Sequence, residues 1–503
     1  MGAAAPLYLD YAATTPVDPA VAAAMSGCLT ASGDFGNPSS AHALGSVAAA
    51  RIAHARAQVA ALLGAAADEI VFTSGATESD NLAILGVARA NADRGRHVLT
   101  ARTEHKAVLD PCKRLEKEGF SVTYLTPGRS GLIEPAAFAA ALRADTVLAS
   151  IMYANNEIGV LQDLAAIGAA CRERGVALHS DCAQAAGKVP FDVQGLPVDF
   201  VSITAHKIYG PKGVGALYVR RGARGLLQPL MFGGGQERSL RPGTLPTHQI
   251  VGFGLACEMA ARELPAEGMR LTALRERLWA GLEALGGTHL NGAGAPRLPG
   301  ILSVSFEGVE GESLVTGLTG LAVSTGAACN SVSAEPSYVL RALGRDTQLA
   351  QSSLRFSLGR FSVDADIDFA LNAVRAEVGR LRALSPAACG PAGEGFGPAP
   401  GTGSGGATVV SGEAGGPGQE SWVRFHLLVA GDSVKDARFQ AFGCPHTMDA
   451  AAWLCGELRG RRRAALIPGT PATWAAARGV PIEKLGRLLV VEDALRACLS
   501  HWA

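Results

Sequence analysis

"VALHSDCAQAAGKVPFDVQGLPVDFVSITAHKIYGPKG", residues 176–213, decides the fold. It contains two short β-rich runs, "VALHSD" and "VDFVSIT", with a loop and turn between them. Runs of this length, spaced by helical or looped segments, read as strands of a sheet covered by helices. The first ends on Asp181, and the second leads into Thr204, His206, Lys207, Tyr209 and Gly210. In an open α/β sheet, the carboxyl ends of the strands form the edge where ligands bind. An ammonium beside a buried strand is disfavoured, and the same desolvation lowers a lysine's pKa and favours Schiff-base chemistry. On this segment alone, a surface lysine at a strand end reads equally well.

Working outward, the pattern repeats. "EIVFTS", "HVLTA", "SVTYL" and "TVLASIMY" precede these runs and "GALYVRR" follows them. Between them lie segments such as "ESDNLAILGVARANA" and "DLAAIGAACRERG", with apolar residues at helical spacing. The expected class is α/β, a large and mostly parallel sheet with helices on both faces. From about residue 256 to 384 the order becomes helix, strands, helix, with "ILSVSFEG" and "SSLRFSLGRF" the clearest strands. That predicts a smaller α+β domain, completed by the N-terminal segment, beside a large domain of about 15–255. Residues 385–420 are dominated by Gly, Pro and Ala and predict a flexible tether between the body, 1–384, and a C-terminal module, 421–503.

Composition removes several classes of function. The 503 residues carry 45 basic and 45 acidic side chains, which leaves no global footprint for nucleic acid or an anionic membrane. The cluster "LRGRRRAA", Arg459 to Arg463, reads as a solvated face. No run of about 18 apolar residues predicts a membrane span. The opening "MGAAAPLYLDYAATTP" lacks a basic and an apolar segment of a signal peptide, and Pro6 stands where myristoylation wants Ser or Thr. Ten scattered cysteines form no C-x-x-C pair, so a disulfide framework is not indicated and a reducing, cytoplasmic setting is expected.

"VFTSGATESDNLAI", from Val71, ends a β-run at Thr73 and opens a helix through Thr77, Glu78 and Ser79. A helix start offers free N–H groups and partial positive charge to a phosphate, though an ordinary N-cap reads the same way. "FGGGQE" and "GPKGVG" fit neither a strand–GxGxxG–helix unit nor a P-loop. A phosphate-ready helix start, an aspartate and a lysine on one sheet edge describe a pyridoxal-phosphate site.

The stretches "LDYAATTPVDP", "FGNPSSAHALG", "TEHKAVLD", "NNEIGVLQD", "SDCAQAAGK", "AHKIYGPKG", "RPGTLPTHQIVGFG" and "EPSYVLRALG" closely resemble the cysteine desulfurases of iron–sulfur cluster assembly. The resemblance spans roughly residues 6 to 385 and implies the type I fold of pyridoxal-phosphate enzymes. It implies that Lys207 is the Schiff-base lysine, that Asp181 meets the pyridine nitrogen and that Gln184 meets the phenolic oxygen. Ala76, Thr77, Thr204 and His206 would hold the phosphate, with Thr244 reaching it from the second subunit of a homodimer. His105 would stack on the ring and move protons, while Asn156 and Arg355 would bind the substrate, L-cysteine, Arg355 by a two-pronged contact to its carboxylate. Cys329, in "STGAACNSVSAEPS" (324–337), would take the substrate's sulfur as a persulfide and leave alanine. The acceptor would be an iron–sulfur scaffold protein or another sulfur-using partner, such as an enzyme of tRNA thiolation. A selenocysteine lyase or an aminotransferase shares the fold, but the loop cysteine has no task in an aminotransferase. The five other cysteines of the body, Cys28, Cys112, Cys171, Cys182 and Cys257, read as packing residues.

"VKDARFQAFGCPHTMDAAAWLCGELRGR" and "GVPIEKLGRLLVVEDAL" resemble, more weakly, the scaffold protein on which iron–sulfur clusters are built. That family holds its cluster with three cysteines and an aspartate. Cys444 matches the middle cysteine, but Arg487 stands in place of the last, and neither the first cysteine nor the aspartate is present around Gln419 and Ser421. His446, Cys455 and Cys498 occupy no ligand position of that family. The expectation is a degenerate scaffold that docks, or accepts sulfur at Cys444, with a cluster held only transiently and only if Cys329 and Cys444 share it. A structural role for Cys444 reads as readily as the acceptor role.

Overall fold

The computed structural model describes residues 5–325, 336–383, 407–416, 421–481 and 484–502. In chain order its first strands are β1 (Leu7–Tyr8), β2 (Ile70–Thr73), β3 (His97–Ala101), β4 (Ser121–Leu125), β5 (Thr146–Ser150), β6 (Ala177–Asp181), β7 (Phe200–Thr204) and β8 (Gly215–Val219). Strands β2 to β8 form one seven-stranded sheet in the order β2-β8-β7-β6-β5-β3-β4. Neighbours are parallel except at β8, which runs antiparallel to β2 and β7. The mostly parallel sheet expected from the sequence is the sheet observed.

Alternate residues of these strands feed two separate cores, as the two-residue period of a strand requires. Ile70, Phe72, Leu99, Ala149 and Leu178 pack on one face, and Val71, Val98, Leu148, Ala177 and Leu217 on the other. Burial on both faces explains why the strands read as apolar runs rather than alternating ones. A 37-residue helix, Thr247–Glu283, leaves the large sheet and enters the smaller domain. It lies close on helix Ala43–Leu63: a Cβ on Gly254 would stand 2.6 Å from the Cα of Ala55, so glycine is what permits the approach.

The smaller domain holds β9 (Thr288–Leu290), β10 (Ile301–Phe306), β11 (Leu321–Ala322), β12 (Ser324–Thr325) and β13 (Ser353–Ser357). Four of them form an antiparallel sheet in the order β12-β13-β10-β9. The N-terminal segment joins this part of the chain, β1 pairing with β11 and Leu9 lying in the same core. The last sheet is an antiparallel meander of β14 (Ala407–Gly416), β15 (Ser421–Ala430) and β16 (Ser433–Phe442), covered by helices Pro445–Glu457, Pro471–Arg478 and Leu485–His501.

One expectation is corrected here. The tether read over 385–420 ends earlier, because residues 407–416 pair along their whole length with β15. Gly412 is there for close approach: a Cβ on it would stand 2.2 Å from the backbone nitrogen of Cys498. Cys329, predicted to carry the sulfur, lies outside the described residues. The module is seated on the body. Ser313 Oγ donates to the Gly443 carbonyl at 2.8 Å, Lys484 Nζ pairs with Glu312 at 2.7 Å, and Met448 packs into the smaller domain's core.

Candidate active site

A cavity of about 560 Å³ opens at the carboxyl edge of the large sheet. Ala76, Thr77, His105, Asn156 and Asp181 line it, with Gln184, Thr204, His206, Lys207 and Arg355. The sequence motifs of five strand ends therefore converge on one place. Thr244 is exposed and does not line this cavity.

Helix Ala76–Ala90 aims its N-terminus into the cleft. Gly75 precedes it with no side-chain cap, so the first N–H groups of the helix stay available to a ligand. The neighbouring strand crowds this turn, because a Cβ on Gly215 would come within 2.7 Å of the Gly75 Cα. Glu78 completes the turn, accepting from Ser74 N at 2.7 Å and pairing with Arg241 at 2.8 Å.

Lys207 follows β7 in a single 3₁₀ turn. Its Nζ donates to the Ala13 carbonyl at 2.8 Å and also to that of Ala12. Two residues on, Tyr209 takes φ 66°, a strained backbone for a bulky residue. Its N–H donates to Thr15 Oγ1 at 2.7 Å, and the Arg360 guanidinium stacks 4.2 Å from its ring. Asp181 ends β6, one carboxylate oxygen accepting from Ala183 N at 2.9 Å. Burial, then the neighbouring Asp80 carboxylate, push Asp181 up to about 7. Desolvation and then Lys207 push His206 down to about 4. His105 caps helix Lys106–Lys117 with Nδ1, accepting from Ala107 N at 3.2 Å, which leaves its proton on Nε2 in the neutral ring. Burial lowers its pKa, against the pull of Asp181.

Several residues that complete the site were not singled out from sequence. Asp10 accepts from Arg355 Nη2 at 2.8 Å, and Ser324 Oγ takes a second bond from the same nitrogen at 2.8 Å. Arg355 Nη1 donates to the Asn156 carbonyl at 2.8 Å, while its buried Nε has no partner. Gln184 is fixed from both ends, its amide donating to the Ala12 carbonyl and accepting from Lys188 Nζ, each at 2.8 Å. Lys188 is half-buried, and desolvation followed by Lys207 pushes it down to about 7. Asp80 and His179 lie beneath Asp181, and the two-residue period of "HSD" already put His179 and Asp181 on one face.

The donor set fits pyridoxal 5'-phosphate. It combines an amine, a carboxylate at a strand end, a helix N-terminus with Thr77, Thr204 and His206, and the buried Asn156 Oδ1, which lacks a donor within the fold. In the module, Cys444 caps helix Pro445–Glu457 and is buried, its Sγ 3.5 Å from Thr447 Oγ1. The positions where a scaffold would carry ligands meet in space: Arg487 Nη1 donates to Ser421 Oγ at 3.1 Å. Among the described residues no group of three or more side chains is arranged to hold a metal ion. Cys28, Cys112, Cys171, Cys182 and Cys257 are buried and free. No described helix is long and apolar enough to cross a membrane.

A seven-stranded, mostly parallel sheet with lysine, aspartate and a helix N-terminus on one edge defines the class. Residues 7–369 match the family described as aminotransferase class-V, whose members use pyridoxal 5'-phosphate. The protein named cysteine desulfurase IscS of Pectobacterium atrosepticum is 56% identical over 382 residues, covering 76% of this chain and 95% of that protein. Its namesake in Aeromonas hydrophila matches with the same identity and coverage. Among solved structures, a NifS-like protein gives a TM-score of 0.69 at 37% identity, covering 75% of this chain and 100% of that one. SspA in complex with cysteine gives 0.64 at 39%, covering 71% and 99%. The chain belongs to the cysteine desulfurase family, within the class-V aminotransferases.

Proposed function

We propose that this cleft binds pyridoxal 5'-phosphate and L-cysteine, and that sulfur leaves it as a persulfide on Cys329. The observation that carries the reading is the convergence of Lys207, Asp181 and His105 with the helix N-terminus at Thr77 on one sheet edge, met in the same cleft by Arg355 from β13 of the smaller domain. When bound, the cofactor supplies an aldehyde for an amine and a ring that takes up electrons. Lys207 is the amine, Asp181 holds the ring nitrogen and Gln184 the phenolic oxygen. Ala76, Thr77, Thr204 and His206 hold the phosphate, and Asn156 contacts cofactor and substrate. Arg355 takes the substrate carboxylate, releasing Asp10. His105, with its proton on Nε2 in the neutral ring, would move the proton. The Cys329 thiolate attacks the substrate's sulfur, the carbon–sulfur bond breaks with its electron pair left on carbon, and that carbon gains a proton to give alanine. One thiol and one cysteine thus become one persulfide and one alanine.

The enzyme acts as a homodimer. Support comes from Met231 and Phe232, exposed by 46% and 85%, and from Thr244, exposed away from its own chain's cleft and free to serve a second one. The sulfur passes to an acceptor of iron–sulfur assembly in a reducing cytoplasm, a setting in keeping with eight free cysteines among the described residues. The C-terminal module is a degenerate scaffold-like docking domain. Its buried Cys444 and the Arg487–Ser421 bond favour docking over cluster assembly.

Cysteine labelled at sulfur, followed by alkylation and mass mapping, tests the reading. Label on Cys329 that disappears in Cys329→Ala is expected. Label on Cys444 as well, also lost in that variant, makes the module a sulfur acceptor. No label on any cysteine refutes the desulfurase site.

A further inference from the structure

One charged side chain of the cleft has no task in this reading. Asp80, in the second turn of helix Ala76–Ala90, lines the cavity, is fully buried, and receives a normal hydrogen bond on neither carboxylate oxygen. The Ser202 hydroxyl stands beside it. His179 Nε2 is 3.4 Å from Oδ1, but that nitrogen meets Ser202 Oγ at 2.9 Å, and Nδ1 meets Ser150 Oγ at 2.8 Å. A buried carboxylate with only Ser202 and His179 close by is costly to keep. The titratable groups facing it are His179, Asp181 and Cys182 on β6 and the turn after it, and Glu104 after β3. Burial pushes Asp80 up to about 7, so it is largely ionised at pH about 8.

We propose that Asp80 is a positioning residue for pyridoxal 5'-phosphate, its carboxylate set behind Asp181 to keep a proton on the pair that Asp181 makes with the ring nitrogen. The inference rests on the proposed reading of the cleft. With its proton that pair is neutral, and without it the pair carries one negative charge. A second carboxylate within electrostatic reach, itself fully buried, opposes the loss. Asp80 does this through Asp181, whose own pKa it raises.

The test uses the full chain loaded with cofactor carrying ¹⁵N at the ring nitrogen. Nitrogen NMR from pH about 7 to 10 follows the proton, and equilibrium dialysis gives the cofactor's dissociation constant. In Asp80→Asn the ring nitrogen is expected to lose its proton at least about one pH unit lower than in the wild type, with binding weakened about tenfold. Asp80→Ser, which removes the charge with a smaller group, gives the same shift and serves if the first variant fails to fold. A folded variant whose ring nitrogen titrates with the wild type overturns the role of Asp80. A wild-type chain that takes up no cofactor overturns instead the reading on which it rests.

Discussion

The body and the C-terminal module both lay helices on a sheet, yet their buried polar atoms end differently. In the body, both carboxylate oxygens of Asp80, the side-chain oxygen of Asn156 and Nε of Arg355 lack a hydrogen-bond partner and belong to residues lining one cleft, while Tyr124 Oη, Arg297 Nη1 and Arg360 Nε are in the same state outside it. In the module, Gln440 Oε1 alone among the described residues is in that position, and the Ser411–His426 and Trp474–Pro468 contacts close within the fold. Buried polar groups are ordinarily satisfied. A cleft edged by unsatisfied ones is a surface finished by a ligand, whereas the module is finished by its own chain. The difference separates a site from a packing unit more sharply than residue identity does, since both regions carry a cysteine flagged by resemblance.

The comparison breaks most visibly at Lys207. Lys207→Ala should lower cysteine-dependent alanine formation by about 10⁴-fold, while the unfolding of the module stays where it was. An alanine assay that shows turnover within tenfold of wild type would remove the lysine from the chemistry. The reciprocal blow falls on Trp474, which is buried and donates Nε1 to the Pro468 carbonyl at 2.7 Å. Trp474→Ala should cost the module about 3–5 kcal/mol in denaturant unfolding and leave turnover unchanged. Turnover that falls along with the module would make the module part of the working enzyme.

A third experiment sharpens the contrast by reading the cost of the unfinished cleft. Burial raises Asp80 from the ordinary carboxylate range to about 7. Between those values the folded chain holds a proton that the unfolded chain has lost, so this group makes stability fall as pH rises. His179, pushed down to about 4 by burial, acts with the opposite sign, losing stability as pH falls through its range. In cofactor-free protein, Asp80→Asn should therefore be more stable than wild type by about 2–4 kcal/mol at pH about 8, with no gain at pH about 4. Urea titrations at the two pH values decide it, and equal stabilities at both would show that the carboxylate costs nothing.

What the sequence disclosed follows the same division. The strand ends carrying Asp181 and Lys207 were legible because both faces of their strands are apolar and the polar residue comes abruptly. The helix start at Thr77 was legible from its glycine. Asp80 was not, because a polar residue inside a helix reads as its solvent face until the sheet beneath it is known. Asp10 escaped because its partner, Arg355, is distant in sequence, and Lys188, only four residues after Gln184, because a lysine in a loop reads as solvated until the cleft around it is known. The strand over 407–416 was hidden by composition: Gly412 marks close contact with helix Leu485–His501 and not slack chain. Flexible and tightly packed glycines look alike until a neighbour is placed against them.

The smallest effect concerns how the two regions meet. Lys484 and Glu312 pair at 2.7 Å across the seam, but Glu312 is 43% exposed, so the pair contributes only about 0.2–1 kcal/mol. The Ser313 bond to the Gly443 carbonyl is buried and adds about 1 kcal/mol, and Met448 supplies apolar contact. Glu312→Lys should therefore loosen the seam slightly, raising amide exchange in helices Gly311–Gly317 and Pro445–Glu457 by at most about fivefold. Adding Lys484→Glu restores the attraction with its sign reversed, and exchange should return to the wild-type rate. Recovery in the double variant identifies a direct pair, because two independent perturbations would add. Exchange unmoved by Glu312→Lys would mean that Ser313 and Met448 hold the module alone.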